Sequence, residues 1–362
     1  NRGSNLGVGY FEVNQRSGWR WNTSKAFLRP VMKRPNLTVW THAQVRSLLI
    51  ERDAGGELVC NGAVVVKSGE EVAVKAARET VLCAGAVGTS QILELSGVGQ
   101  GALLQQHGIA VKLDKPGVGA NLQDHLQIRA VFKVQGVKTL NTLAGTWWGK
   151  VQIGMEYVFK RSGPMSMAPS QLGAFTKSSA DRPYPNIQYH VQPLSLDKFG
   201  DPLHTFNAFT ASVCNLRPTS RGFVHISSKE IDALPHINPN YLDANEDKKV
   251  AVDAVRFTRQ IVAQSAFAQY APTELKPGKQ FTTDKELLEQ VGEIGTTIFH
   301  PIGTCKMGID DKAVVTPRLE VHGLKGIRIA DASIMPSVTT GNTNAPSMVI
   351  AEMAAKFIID NG

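Results

Sequence analysis

The chain has 362 residues, 42% hydrophobic and 19% charged, a globular balance that excludes a disordered protein. That length is more than one core usually holds, so two domains, or one with a large insertion, are expected. Lys and Arg number 39 against 31 Asp and Glu, a formal net charge of +8, but the basic residues are scattered rather than interleaved with aromatics, so a nucleic-acid partner is not expected.

No run reaches the ~20 apolar residues of a membrane span, and no charged-then-apolar signal segment opens the chain. Peripheral contact with a membrane surface stays compatible with the basic excess. Cys60, Cys83, Cys214 and Cys305 are widely spaced, with no CxxC pair or zinc-type pattern. A reduced, cytoplasmic protein is the simplest account, the inner membrane being a compatible peripheral surface. The opening NRGSNLGVGYFEVNQ lacks an initiator Met and reads as the middle of a protein.

In chain order, residues 18–34 predict a turn and then an amphipathic helix from about Ser24. Residues 36–51 are β-branched and alternating, a strand or two. Residues 57–86 predict a meander of two strands about a Ser-Gly turn, followed by the apolar run ETVLCAGA. The stretches 87–97 and 101–108 have helical periodicity, each closed by Gly, and 115–126 predicts a loop. The runs RAVFKV, NIQYHVQPL, FTASVCNL and GFVHISS are short and alternating, as in an antiparallel sheet with one buried face. Residues 245–293 read as helical again, and the chain closes with strand, turn and helix. GVGQGA (97–102) fits GxGxxG/A on paper, but it follows a helical pattern rather than a strand, so it predicts a helix-capping turn and not a dinucleotide site.

The chemistry concentrates near the C-terminus. His300 follows the β-branched run TTIF and precedes Pro301-Ile302-Gly303, where a strand must turn sharply and expose a side chain. A neutral imidazole there can accept an alcohol proton. Asn342 can donate to a substrate oxygen without competing as a base. Asn344, followed by Ala345 and Pro346, predicts a helix N-cap whose positive dipole end would favour negative charge. Asp331-Ala332 ends the apolar strand GIRIA, where a simple turn cap is the alternative.

Five stretches match, in order, the sequence signatures of one family: GAVGTSQILELSGVG (85–99), NLQDH (121–125), FHPIGTCKMG (299–308), IRIADASIMP (327–336) and TTGNTNAPSMVIAEMAA (339–355). Together they resemble the glucose–methanol–choline (GMC) flavoprotein oxidoreductases. The resemblance implies an α/β fold with an α+β insertion. Residues 1–122 and 293–362 would be the remainder of a Rossmann-like FAD-binding domain, and 123–292 an antiparallel-sheet substrate domain. It implies oxidation of an alcohol CH–OH donor to an aldehyde or ketone, with FAD as cofactor, His300 as base and Asn342 on the substrate oxygen. Hydride would pass to flavin N5. Asp331 and Ala332 would meet the ribityl-pyrophosphate, Thr343, Asn344 and Ala345 the flavin ring, and Val45, by its backbone, the adenine. Gln188, Tyr189 and His190 would line the substrate side unless they only follow sheet alternation.

The family's N-terminal GxGxxG and ribose acid are not among these residues, so the chain alone is expected to hold FAD weakly and to self-associate through an uncovered sheet edge. A hydroxynitrile-lyase-like, non-redox member and an inactive remnant both stay open here. The particular alcohol and the electron acceptor, quinone, oxygen or another, are not legible.

Overall fold

The computed structural model describes residues 4–168 and 170–360. Its contacts divide the chain into two compact units. One comprises residues 40–125, 217–247 and 298–362; the other comprises 1–39, 126–216 and 248–297. The expected boundaries at 122/123 and 292/293 lie within a few residues of the observed 125/126 and 297/298. The division differs in two further places. Residues 1–39 belong with the antiparallel sheet, because Gly7–Tyr10 pairs with Leu172–Thr176. Residues 217–247 belong with the other unit.

In the first unit the strands Ala43–Arg52, Leu58–Lys67 and Glu70–Lys75 form the expected antiparallel meander. Its second turn is Ser68-Gly69, with φ of 54° and 84°; two successive positive φ values make the tight primed turn that suits strand twist. The apolar run after it becomes the strand Thr80–Leu82, which pairs in parallel with Ile327–Ile329. The helix Gly85–Leu95 follows at once and is closed by Gly97 at φ 85°, as its sequence predicts. Leu93, Leu82, Leu48, Ile50, Val315, Ile327 and Ile329 form one buried core under this helix. Each such side chain contributes roughly 1.5–3 kcal/mol on burial. Within GVGQGA, Gly97 caps the helix; Val98–Gly99 then pairs with Leu113–Asp114 before the short helix Gly101–Gln106.

The second unit is built on a seven-stranded antiparallel sheet. Its order is Gly7–Tyr10, Leu172–Thr176, Ile187–Gln192, Ala208–Asn215, Leu126–Lys133 and Thr273–Lys276, with Gly295–Thr297 also on Leu126–Lys133. Three of the four alternating runs lie in it. The fourth does not: Phe223–His225 forms a two-stranded ribbon with His236–Asn238 in the other unit. A three-residue alternation carries no information about its partner. The helical stretch 245–293 holds the helices Asn245–Val262 and Asp284–Ile294, interrupted by the strand Thr273–Lys276, which Pro272 and Pro277 flank. The helix expected from Ser24 lasts only to Val31, as a wide turn and then a tight one, with Pro30 removing a backbone donor.

Among the described residues no helix is long and apolar enough to cross a membrane. Nor do three or more His, Cys, Asp or Glu side chains cluster there as a metal would need.

Candidate active site

Two loops of the first unit lie along each other and build the site. The 121–125 loop exchanges backbone hydrogen bonds with the 300–304 segment: Gln123 N–H donates to Ile302 O at 3.1 Å and Ile302 N–H to Gln123 O at 2.9 Å. Asn121 Nδ2 adds a bond to Gly303 O at 3.1 Å. Gly303 has φ 91°, and a Cβ on it would lie 2.7 Å from Asn121 O, so only glycine lets the two loops approach this closely. On its other side the same segment is stitched to 332–334. Gly303 N–H meets Ala332 O at 3.3 Å, Cys305 N–H meets Ser333 O at 2.9 Å, and Met307 N–H meets Ile334 O at 2.7 Å.

His300 stands where this double pairing begins. It is 6% exposed, and the residue before it, Phe299, has φ 64°, an uncommon backbone for a bulky residue and one that clusters at functional sites. Its N–H donates to Asp124 Oδ1 at 2.8 Å, an oxygen that also accepts the N–H of His125 at 2.9 Å. The Tyr241 hydroxyl donates to Asp124 Oδ2. The His300 ring has neighbours at both nitrogens: His125 Nδ1 lies 3.0 Å from its Nδ1, and Asn342 Nδ2 lies 3.2 Å from its Nε2. Burial pushes the His300 imidazole below its ordinary range, and the Asp124 charge opposes this only in part. Burial thus favours the neutral form of this ring.

Asn342 is exposed and leads directly into the helix Asn344–Asp360. The helix starts one residue earlier than its Asn-Ala-Pro sequence suggests. Thr343 O accepts the N–H of Ser347 at 3.0 Å, so Thr343 is the cap, and Asn344 and Ala345 occupy the first turn. Asp331 commits its carboxylate to protein partners. Oδ2 accepts from Gly85 N–H at 2.9 Å and Thr89 Oγ1 at 2.6 Å, and Oδ1 accepts from Ser333 N–H at 2.8 Å. The turn-cap role is thus present in its side chain. Val45 lies on the meander opposite Val65, apart from this cluster.

In the other unit, Tyr189 turns its hydroxyl to Thr258 Oγ1 at 2.8 Å, while His190 stacks on Phe11 with centroids 4.8 Å apart. Sheet alternation thus sends neighbouring residues to different packing partners. The residues that sequence reasoning gave no role are Asp124, His125 and Tyr241. The first two lie inside NLQDH, where an adjacent acid and imidazole were the available signal; Tyr241 offered none.

Residues 1–127 match the N-terminal and 218–351 the C-terminal model of the GMC oxidoreductases. The chain belongs to the GMC oxidoreductase family. It is 39% identical to an alcohol dehydrogenase (acceptor) of Pseudomonas putida, over 98% of this chain and 63% of that protein. It is also 39% identical to an oxygen-dependent choline dehydrogenase of Burkholderia multivorans, over 94% and 59%. Among solved structures, a pyridoxine 4-oxidase from Mesorbium loti superposes with a TM-score of 0.84 at 29% identity, covering 98% of this chain and 65% of that one. A formate oxidase of Aspergillus oryzae shares the fold at 24% identity, with a TM-score of 0.89 over 98% of this chain and 66% of that one. The chain spans about three fifths of the length of the curated relatives it matches.

GMC oxidoreductases are FAD flavoproteins, and the residues of the site fit the redox end of that group. The first turn of the 17-residue helix Asn344–Asp360 carries backbone N–H groups with no acceptor inside the helix, and Asn344 and Ala345 are exposed there. This positive helix end adjoins Asn342, which reaches His300. Such an end suits a ring that gains negative charge on reduction.

Proposed function

We propose that the protein oxidises a small alcohol at its CH–OH carbon to an aldehyde or ketone, with FAD as cofactor. The observation that carries this reading is the pair His300 Nε2 and Asn342 Nδ2, 3.2 Å apart, one group buried and neutral and the other exposed beside a helix N-terminus. An alcohol oxygen that displaces this contact gives its proton to Nε2 and accepts a hydrogen bond from Nδ2. FAD, when bound, supplies the hydride acceptor. Asn342 then holds the oxygen as negative charge develops on it, a role worth on the order of 10²–10³ in rate for one well-placed donor. Thr343, Asn344 and Ala345 would face the ring end of FAD through backbone donors. Ala332 would do so further along, while the Asp331 carboxylate holds the turn. Val45 would offer its backbone to the adenine end.

The relatives are named for alcohols and for choline, and this chain's substrate is assigned to the shared class, a primary or secondary alcohol. Anaerobic addition of a panel of alcohols to the FAD-loaded protein tests the reading. Bleaching of the oxidised flavin with formation of one carbonyl product per flavin is expected. Retention of the oxidised spectrum with every alcohol would overturn it, and cleavage of a cyanohydrin without bleaching would point to the non-redox chemistry instead.

A further inference from the structure

His300 can act as a base only from a nitrogen that carries no proton, so its tautomer decides whether the site works. An amide nitrogen can only donate, so the 3.2 Å contact from Asn342 Nδ2 leaves His300 Nε2 bare and places the ring proton on Nδ1. That proton points at His125 Nδ1, 3.0 Å away, which must then be the acceptor. Two nitrogens at that distance cannot both carry protons. His125 is therefore the partner that fixes the proton's position, through its own bare Nδ1.

The surroundings hold His125 in place. It is fully buried, and its ring meets that of His300 nearly edge to face, at 87° with centroids 5.3 Å apart. Asp124 Oδ1 grips the backbone N–H of both histidines, and Tyr241 anchors the other carboxylate oxygen. Asp124 thus serves the backbones, and the imidazole–imidazole bond serves the ring.

We propose that His125 is a positioning residue that holds His300 in its Nδ1–H tautomer, leaving Nε2 free to take the substrate proton. The proposal rests on the reading of His300 as the base. On substrate entry the alcohol O–H bond breaks, its proton moves to His300 Nε2, and the ring becomes a cation that donates from Nδ1 to His125. The Asp124 carboxylate is the charge that favours this cation. One neutral hydrogen bond biases such an equilibrium by about 3- to 10-fold, and that is the effect expected from its loss.

The test compares the wild type with His125→Phe, which fills similar volume without an acceptor, and His125→Asn, whose amide oxygen restores one near the Nδ1 position. The first readout is the tautomer of His300 in the 362-residue chain, from long-range ¹H–¹⁵N correlation of histidine-labelled protein, assigned among the nine histidines with His300→Gln. The Nδ1–H form is expected in the wild type, loss of that preference in His125→Phe and recovery in His125→Asn. The second readout is the limiting rate of flavin reduction in the loaded enzyme, expected to fall about 3- to 10-fold in His125→Phe with substrate affinity unchanged, and to recover in His125→Asn. An Nε2–H tautomer in the wild type would overturn the proposal, as would a His125→Phe variant with unaltered tautomer and rate. If both variants fail to fold, the wild-type tautomer decides alone. The spectroscopic arm needs no turnover, so a protein that oxidises no alcohol yet shows the Nδ1–H form would sink the proposed function and leave standing only the control of the His300 tautomer by His125.

Discussion

Replacing Asp331 by Ala separates a structural carboxylate from one that serves only a cofactor. The substitution removes three hydrogen bonds at once, from Gly85 N–H at 2.9 Å, Thr89 Oγ1 at 2.6 Å and Ser333 N–H at 2.8 Å. Thr89 and Ser333 are fully buried, so their groups have little access to replacement water. Bonds to a charged group contribute about 1.5–3 kcal/mol each, but bonds sharing one acceptor group are not additive. Local relaxation lowers the total further, giving an expected loss of about 3–5 kcal/mol, the range of a broken buried network. Against a typical domain stability of about 5–15 kcal/mol, that is a large fraction. Asp331→Asn keeps one carbonyl oxygen but turns an amide nitrogen toward a donor, and about 1–3 kcal/mol is expected to be lost. Urea unfolding of the cofactor-free chain measures both, and hydrogen exchange of the Gly85–Leu95 helix localises the effect, because Gly85 opens that helix. Stability of Asp331→Ala within about 0.5 kcal/mol of wild type, as for an ordinary surface change, would refute the structural role.

Exchange of His300 for Ala is expected to slow flavin reduction by about 10²–10⁴-fold, the usual worth of a positioned base, and a near-unchanged rate would place the base elsewhere. Asn342→Asp puts a negative charge where the substrate oxygen develops one, so turnover is expected to drop by about 10²-fold or more; an unaffected rate would make Asn342 a turn residue only. His300 should titrate below its ordinary 6.5, because burial disfavours its charged form. The unfolded chain then takes up that proton first, so the stability contribution is complete above about 6.5 and is lost as pH falls through that value toward the folded midpoint. An NMR midpoint above 6.5 for His300 would contradict the burial argument.

Much of the fold was legible because local chemistry fixed it. Ser68-Gly69 could only turn and Gly97 could only end a helix, and the alternating runs did become strands, but Leu126–Lys133, Ile187–Gln192 and Ala208–Asn215 are buried on both faces rather than on the one face expected. What failed were questions of partnership. Nothing in the six residues of GFVHIS says that Phe223–His225 pairs with His236–Asn238 rather than joining the large sheet. Nothing near Gly7–Tyr10 announces Leu172–Thr176 as its neighbour. Pairing register is a long-range property, set by packing after the strand is formed, so a single sequence states the strand and withholds its place.

The site divides along the same line. His300 and Asn342 were singled out from motifs whose residue types imply acid–base chemistry, and in the structure their side chains lie 3.2 Å apart. The groups around the proposed base were not legible, because each takes its meaning from a distant segment. Asp124 binds the backbone N–H of His300 and of His125 and so fixes where both rings start. Tyr241 matters only because the ribbon that strayed from the expected sheet leads the chain through residues 239–241 and onto Asp124. The misassigned ribbon and the overlooked tyrosine are one error. A reading that leaves residues 217–247 in the sheet unit has no reason to bring a phenol to the active-site carboxylate, whereas the observed division places Asp124, His125, Tyr241, His300 and Asn342 in one compact unit. That common unit is what allows hydrogen bonds of about 3 Å to hold the base steady, since groups that share one packed core can keep such geometry through the reaction.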